Sequence, residues 1–350
     1  AIVLFCLLRC SSLREFVSWN STSNSTETRN PVPDDKIGRF VASVRPHQAN
    51  PNPDSHYAMG CYLQERKRHK LAISEFEQVI LLDPNHVRAY NRMAISYDLL
   101  ADFPRAIENY KKALTVNPDD TQIKVRLARF YLNSGQIDEA QTQVDALLEE
   151  RPDYAPAKML KAELLTARQQ FAEAIVLLDQ LIADEPQAAR AHYFKGLAHV
   201  GQGERQTAQT ALAKAIELAP RDARARMLMA EIYMGDREFD PAIKEAQAAL
   251  EIAPHSYRAK LIMGNAFMLK RDLDAAGKWY GDLVASEPEN PVGYYRMGLL
   301  SRAKQDNAAA LQYFDRAAAI DPLMVDATRQ TVLLLGSEKR YEEALARCRA

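Results

Sequence analysis

The sequence predicts an all-α protein built as a solenoid of antiparallel helix pairs, and two periodic features predict it. Proline ends successive apolar runs every 34 residues, and alanine recurs with the same period from Ala72 to Ala344. The prolines are Pro84, Pro118, Pro152, Pro186, Pro220, Pro254, Pro288 and Pro322. Two residue types that share one period across most of a chain indicate an internal repeat, in which neighbouring units bury a continuous core.

Each repeat contains two helices, as residues 87–118 illustrate. Tyr90, Met93 and Tyr97 are spaced three and four residues apart, which places them on one face of a helix. Pro104 then stands where a second helix is expected to begin. Proline is tolerated in a first helical turn because its missing N–H would have no partner there.

The unit resembles the tetratricopeptide repeat, which has a small residue at position 8, alanine at position 20 and a bulky residue at position 24. Here position 8 is Gly or Ala in eight of nine units, and position 20 is Ala in all nine. The units begin at Pro53, Val87, Thr121, Ala155, Ala189, Ala223, Tyr257, Pro291 and Val325. The resemblance implies a right-handed superhelical solenoid over residues 53–350, with eight full repeats and a truncated ninth. Lys161 and Lys195 depart from it at the usually apolar position 7, and we expect their ammonium groups to reach water.

The resemblance also implies a concave groove lined by positions 2, 5, 9 and 12 of each first helix. Positions 5 and 12 are mostly apolar here, and position 2 is arginine in three successive repeats. The candidate groove residues are Arg88, Asn91, Met159, Arg190, Tyr193, Arg224, Met227, Arg258, Leu261, Met268 and Tyr295. We expect a protein or peptide segment to bind through apolar side chains, and the arginines to bind its carboxylates as a ladder. The alternative is that these are ordinary exposed residues beside helix contacts.

Composition excludes several other functions. With 45 basic and 46 acidic residues, the net charge of −1 argues against a broad nucleic-acid-binding surface, although a local charged patch is compatible with it. We identify no Gly-rich phosphate loop, catalytic serine motif or paired-cysteine metal motif. His192 and His199 are two turns apart without an evident third ligand, so we interpret them as packing residues. The sequence predicts a non-catalytic scaffold without cofactor or metal; the alternative is the recognition arm of an enzyme, such as a glycosyltransferase, whose catalytic domain follows residue 350.

The amino-terminal segment predicts export. The apolar run in residues 1–12 has the size of a signal-peptide core and is shorter than a membrane span. Cys10 lies in a sequence that resembles a lipoprotein lipobox, except that Arg9 stands where a small residue is expected; a secretory signal remnant or short anchor is the alternative. Residues 13–52 are polar and predict a flexible tether. We therefore expect a periplasmic or membrane-tethered bacterial envelope protein, in secretion, pilus or exopolysaccharide assembly, with a cytoplasmic location as the alternative. The oligomeric state is not predicted.

Overall fold

The computed structural model describes residues 52–349, which form 18 α-helices and no strand. The helices are α1 (Pro53–Glu65), α2 (His69–Leu82), α3 (Val87–Leu99), α4 (Phe103–Val116), α5 (Thr121–Asn133), α6 (Ile137–Glu150), α7 (Ala155–Ala167), α8 (Phe171–Asp184), α9 (Ala189–Gln202), α10 (Arg205–Leu218), α11 (Ala223–Gly235), α12 (Phe239–Ile252), α13 (Tyr257–Leu269), α14 (Leu273–Ser286), α15 (Pro291–Ala303), α16 (Asn307–Ile320), α17 (Val325–Ser337) and α18 (Tyr341–Arg349). The predicted all-α array of helix pairs is confirmed. Within this part of the chain, every helix is too short or too polar to cross a membrane.

Short turns join the two helices of each pair. Two or three residues connect a first helix to its second helix, and four residues connect one pair to the next. The residue at position 15 of every repeat has a positive φ, between 58° and 81°. Only Gly135 and Gly203 among these nine residues are glycines, and the others accept a left-handed conformation that costs L-residues energy. The tight turn is therefore imposed by the packing of the helices.

The helices form two compact units, one ending at Leu177 and the other beginning at Leu178, within α8. Consecutive helices pack against each other inside each unit. The first unit has a continuous core that includes Phe76. In the second unit, Tyr280 and Phe314 are each part of a buried apolar cluster. Because each pair packs on its neighbours, one structural rule repeats along each unit.

The small residue at position 8 and the bulky residue at position 24 fit each other. A Cβ atom added to Gly60 would lie 2.5 Å from Cε1 of Phe76, and one added to Gly298 would lie equally close to Phe314. Real Cβ atoms do not approach a ring so closely, so only glycine allows the two helices to pack at this separation. The predicted close approach of the helices in each pair is confirmed at these positions.

The two lysines at position 7 form ion pairs with the preceding repeat. Lys161 Nζ lies 2.8 Å from Asp145 Oδ1, and Lys195 Nζ lies 2.6 Å from Asp179 Oδ1. Each aspartate is at position 25 of the preceding second helix. The two lysine side chains are partly exposed, and their ammonium groups bind a carboxylate across the repeat boundary.

Candidate functional site

Positions 2, 5, 9 and 12 of a repeat are spaced three and four residues apart, so they lie on one side of the first helix of that repeat. We call the residues at these positions the first-helix stripe. In the first unit the stripe runs over α1, α3, α5 and α7, and in the second over α9, α11, α13, α15 and α17. All of the predicted groove residues belong to it.

The half-buried apolar residues of the second-unit stripe include Leu261, Met268 and Tyr295. Leu261 and Met268 pack against the buried cluster that contains Tyr280. The ring of Tyr295 lies 5.9 Å, centroid to centroid, from that of Phe314. Each of these side chains contacts the core on one side and is accessible on the other. Met159 in the first unit is also half-buried.

Two of the predicted groove residues at position 5 are buried, so they do not present the open groove surface predicted for them. Tyr193 is 6% exposed and Met227 is 1% exposed. Ser256, the residue before α13, donates a hydrogen bond from Oγ to Sδ of Met227 at 3.4 Å. The start of the next repeat therefore covers Met227, while Tyr193 packs edge-on against Phe194 with 5.2 Å between ring centroids.

The arginines at position 2 are held by groups within the chain. Nη2 of Arg224 lies 2.5 Å from Oδ2 of Asp222, and its guanidinium carbon lies 5.2 Å from the centroid of the Tyr193 ring. Arg258 donates hydrogen bonds of 2.6 and 2.5 Å to the two carboxylate oxygens of Glu231. The predicted row of cations is therefore neutralised in part by acids of the same chain.

The remaining arginines of the stripe have other surroundings. The guanidinium carbon of Arg190 lies 5.6 Å from the centroid of the Phe194 ring, a cation–π distance. Arg88 of the first unit is exposed. The four position-2 arginines thus differ in what they offer a partner.

The first-unit stripe contains buried polar groups. Oδ1 of Asn91 is buried and has no hydrogen-bond partner among the described residues. Glu163 is 3% exposed, and its Oε1 lies 3.7 Å from Nη1 of Arg129. Burial raises the pKa of Asp98, at position 12, from 3.8 to about 6. These surroundings could not be predicted from the sequence, because a residue's position in the repeat does not determine how deeply its polar group is buried.

Family models of the tetratricopeptide repeat match five stretches of the chain, residues 53–86, 99–164, 165–232, 229–291 and 292–322. These stretches together cover most of the repeat region. The chain belongs to the tetratricopeptide repeat family. Tetratricopeptide repeats indicate a scaffold for protein interactions, and this fold is typically non-catalytic.

Solved structures share the fold of this tetratricopeptide protein at low sequence identity. The Cut9–Hcn1 hetero-tetramer of the APC/C contains a chain that is 16% identical with a TM-score of 0.59, covering 88% of this chain and 60% of that one. A tetratricopeptide repeat protein from Parabacteroides merdae is 15% identical with a TM-score of 0.52, covering 71% of this chain and 98% of that one. A search among curated proteins found no match.

The histidines considered as metal ligands have separate partners. Nε2 of His192 lies 3.0 Å from the carbonyl oxygen of Pro186, and Nδ1 of His199 lies 2.8 Å from Oε2 of Glu204. Residues 52–349 bring no three His, Cys, Asp or Glu side chains together in a metal-binding arrangement. Cys10, the predicted lipidation site, lies outside the described residues.

Proposed function

We propose that the first-helix stripe of the second unit binds an apolar segment of a partner protein. The half-buried Leu261, Met268 and Tyr295 support the proposal. Core contacts on one side already restrict these side chains, so binding a partner on the other side costs less conformational entropy than ordering free side chains. Methionine adapts to irregular apolar surfaces, and tyrosine offers a large contact area with few rotatable bonds.

The paired arginines add a polar rim to this apolar surface. The Arg258–Glu231 and Arg224–Asp222 pairs carry both signs of charge, so the rim contributes little net charge. A partner carboxylate that binds Arg258 must compete with Glu231 for the two-hydrogen-bond geometry. We therefore assign affinity to the apolar residues, and orientation of the partner's polar groups to the rim.

Affinity capture from the source cell with matched variants tests this proposal. The test variant combines Leu261→Asn and Met268→Gln, which remove apolar surface with little change in volume. The control is Leu323→Asn, because Leu323 is 87% exposed in the connection before α17. We expect partners that the control retains and the test variant loses, with similar thermal midpoints for both. Identical captures by all three proteins would contradict the proposal.

The cellular location is proposed from the sequence alone. We propose that residues 1–12 direct export and that Cys10 is lipidated. Fractionation of cells that carry the natural gene tests this, with Cys10→Ser as the matched variant. Export predicts an envelope fraction, and lipidation predicts that the variant moves from membrane to soluble fractions. A wholly cytosolic natural protein would contradict the proposal.

A further inference from the structure

Five consecutive basic residues, from Arg66 to Lys70, form the turn between α1 and α2 and the start of α2. Lys67, Arg68 and Lys70 are exposed. The structure places no described acid within ion-pair distance of any of them, and Arg66 lies over the ring of Tyr62 at 5.3 Å. The turn therefore presents a compact group of uncompensated positive charges.

In each of the other eight repeats, the second helix begins with an acid. The second helices α4 to α18 each carry an acid at the N-cap or in the first turn, namely Asp102, Asp138, Glu173, Glu204, Asp240, Asp274, Asp306 and Glu342. In α2 the N-cap residue is Arg68, and the first turn contains no acid. Because the amino end of a helix has a positive partial charge, the basic residues here add to the helix field instead of balancing it.

The register of the repeats places apolar side chains beside the basic turn. In several other repeats, a basic residue at position 14 pairs with an acid at position 18 of the preceding repeat, as in Arg168–Asp138 at 2.6 Å. Lys304–Asp274 and Lys270–Asp240 repeat this pair. In the first two repeats, Leu100 occupies position 14 and Lys70 occupies position 18 of the preceding repeat. The register thus sets a leucine next to an unpaired lysine.

The leucines around the turn are exposed. Leu71 is 52% exposed, and Leu99 and Leu100 are each 37% exposed. Leucines and cations that share one surface match the boundary of a membrane, where headgroups are charged and acyl chains begin. Proteins that bind single-stranded nucleic acid usually add aromatic rings on which bases stack, and the nearby Tyr62 ring is covered by Arg66.

We propose that this basic turn, with its exposed leucines, binds the surface of a membrane that contains anionic phospholipid. The cations contact phosphate groups, and Leu71 and Leu100 enter the headgroup region. Burial and the neighbouring Lys67 lower the pKa of His69, so four charges and not five act at neutral pH. The contact is independent of any attachment through residues 1–12.

Co-sedimentation of the full chain with vesicles tests the proposal. One vesicle contains phosphatidylcholine alone, and the other contains equal parts of phosphatidylcholine and phosphatidylglycerol. The test variant is Lys67→Glu, Arg68→Glu, Lys70→Glu. The control is Arg237→Glu, Lys244→Glu, Lys339→Glu, which changes the net charge equally at dispersed sites. Acids at the start of α2 suit the helix dipole, so the test variant is expected to stay folded.

We expect the natural protein to prefer the phosphatidylglycerol vesicles. The test variant should bind these vesicles with an affinity reduced about tenfold or more. The control keeps most of the binding, added salt weakens it, and Leu71→Ser reduces it further. Equal binding by the natural protein and the test variant would overturn the proposal. Turn-dependent binding to an oligonucleotide, without vesicle binding, would also overturn it and assign the turn to nucleic acid.

Discussion

The first-helix stripes of the two units occupy the same positions of the same repeat, yet they differ in chemistry. The first-unit stripe contains the half-buried Asp98 and the buried Glu163, whereas the second-unit stripe presents the half-buried Leu261 and Met268. Position 20 is Ala in every repeat and position 8 is small in all but the ninth, so both units share the contacts that fix the helix pairs. The difference teaches that the repeat fold leaves the stripe free to vary, so polar groups can be enclosed in one unit and apolar surface kept open in the other.

Removing a cation beside a buried acid should give the largest effect. Arg129→Met takes a guanidinium from the vicinity of Glu163, which is 3% exposed. An acid left buried with less compensation costs about 3 kcal/mol, measured as the free energy of unfolding in urea. The matched change in the second unit is Arg258→Met, whose partner Glu231 is much more exposed. We expect a loss below about 1 kcal/mol there, and equal losses in both units would contradict the comparison.

A methyl group added at position 8, where the first helix packs against the bulky residue at position 24, should lower the free energy of unfolding by nearly as much. The Cβ of Gly264→Ala would meet the ring of Tyr280. Such overpacking destabilises a core by about 2 kcal/mol. Gly281→Ala is the matched control in α14, since its Cβ would meet no atom within 4 Å. The control substitution should stabilise the protein by about 0.5 kcal/mol. A Gly264→Ala protein as stable as the natural one would show that the contact between Gly264 and Tyr280 is not tightly packed.

The half-buried Asp98 of the first unit should make stability depend on pH. Burial raises the pKa of Asp98 from 3.8 to about 6, so folding favours its protonated form. The stabilisation from that form is fully present below the unfolded pKa and is lost as pH rises through the folded value. Asp98→Asn should therefore gain about 1 kcal/mol relative to the natural protein at pH 7, because partial solvent exposure reduces the effect. The two proteins should be nearly equal at pH 4, and a constant difference from pH 4 to pH 7 would rule out titration of Asp98.

The left-handed turn residues should give the smallest effect. Ala101 has a φ of 58°, which costs an L-residue energy that glycine avoids. Ala101→Gly should stabilise by about 0.5 kcal/mol after the greater chain entropy of glycine is subtracted. Gly135→Ala, at φ 76° with open space around its Cβ, should destabilise by about 1 kcal/mol. Thermal melts of both variants check this, and changes of the same sign would contradict it.

The architecture could be predicted from the sequence because the features that determine it are periodic. Ala72 and Gly60 belong to positions that repeat every 34 residues, so their roles follow from the register. The state of the stripe could not be predicted in the same way. Met227 is buried because the next repeat supplies Ser256, and Arg258 is paired because Glu231 lies 27 residues before it.

The paired arginines of the stripe show the same limit. Reversing the charge of Arg258 would place a second carboxylate beside Glu231, and reversing Arg224 would do the same beside Asp222. Such variants would disturb the fold as well as the surface. The run of basic residues that contains Lys70 is visible in the sequence, but its lack of ion pairs is not, because that depends on which residues the next repeat places beside it.

Site-specific photo-crosslinking in the source cell tests the central claim most directly. A crosslinking amino acid is placed at Met268 in the second-unit stripe, at Arg88 in the first-unit stripe and at Leu323 outside both. We predict one set of protein adducts that forms strongly at Met268 and weakly or not at all at the other two sites. Equal adducts at all three sites, or adducts mainly at Arg88, would contradict the assignment of partner binding to the open apolar stripe of the second unit.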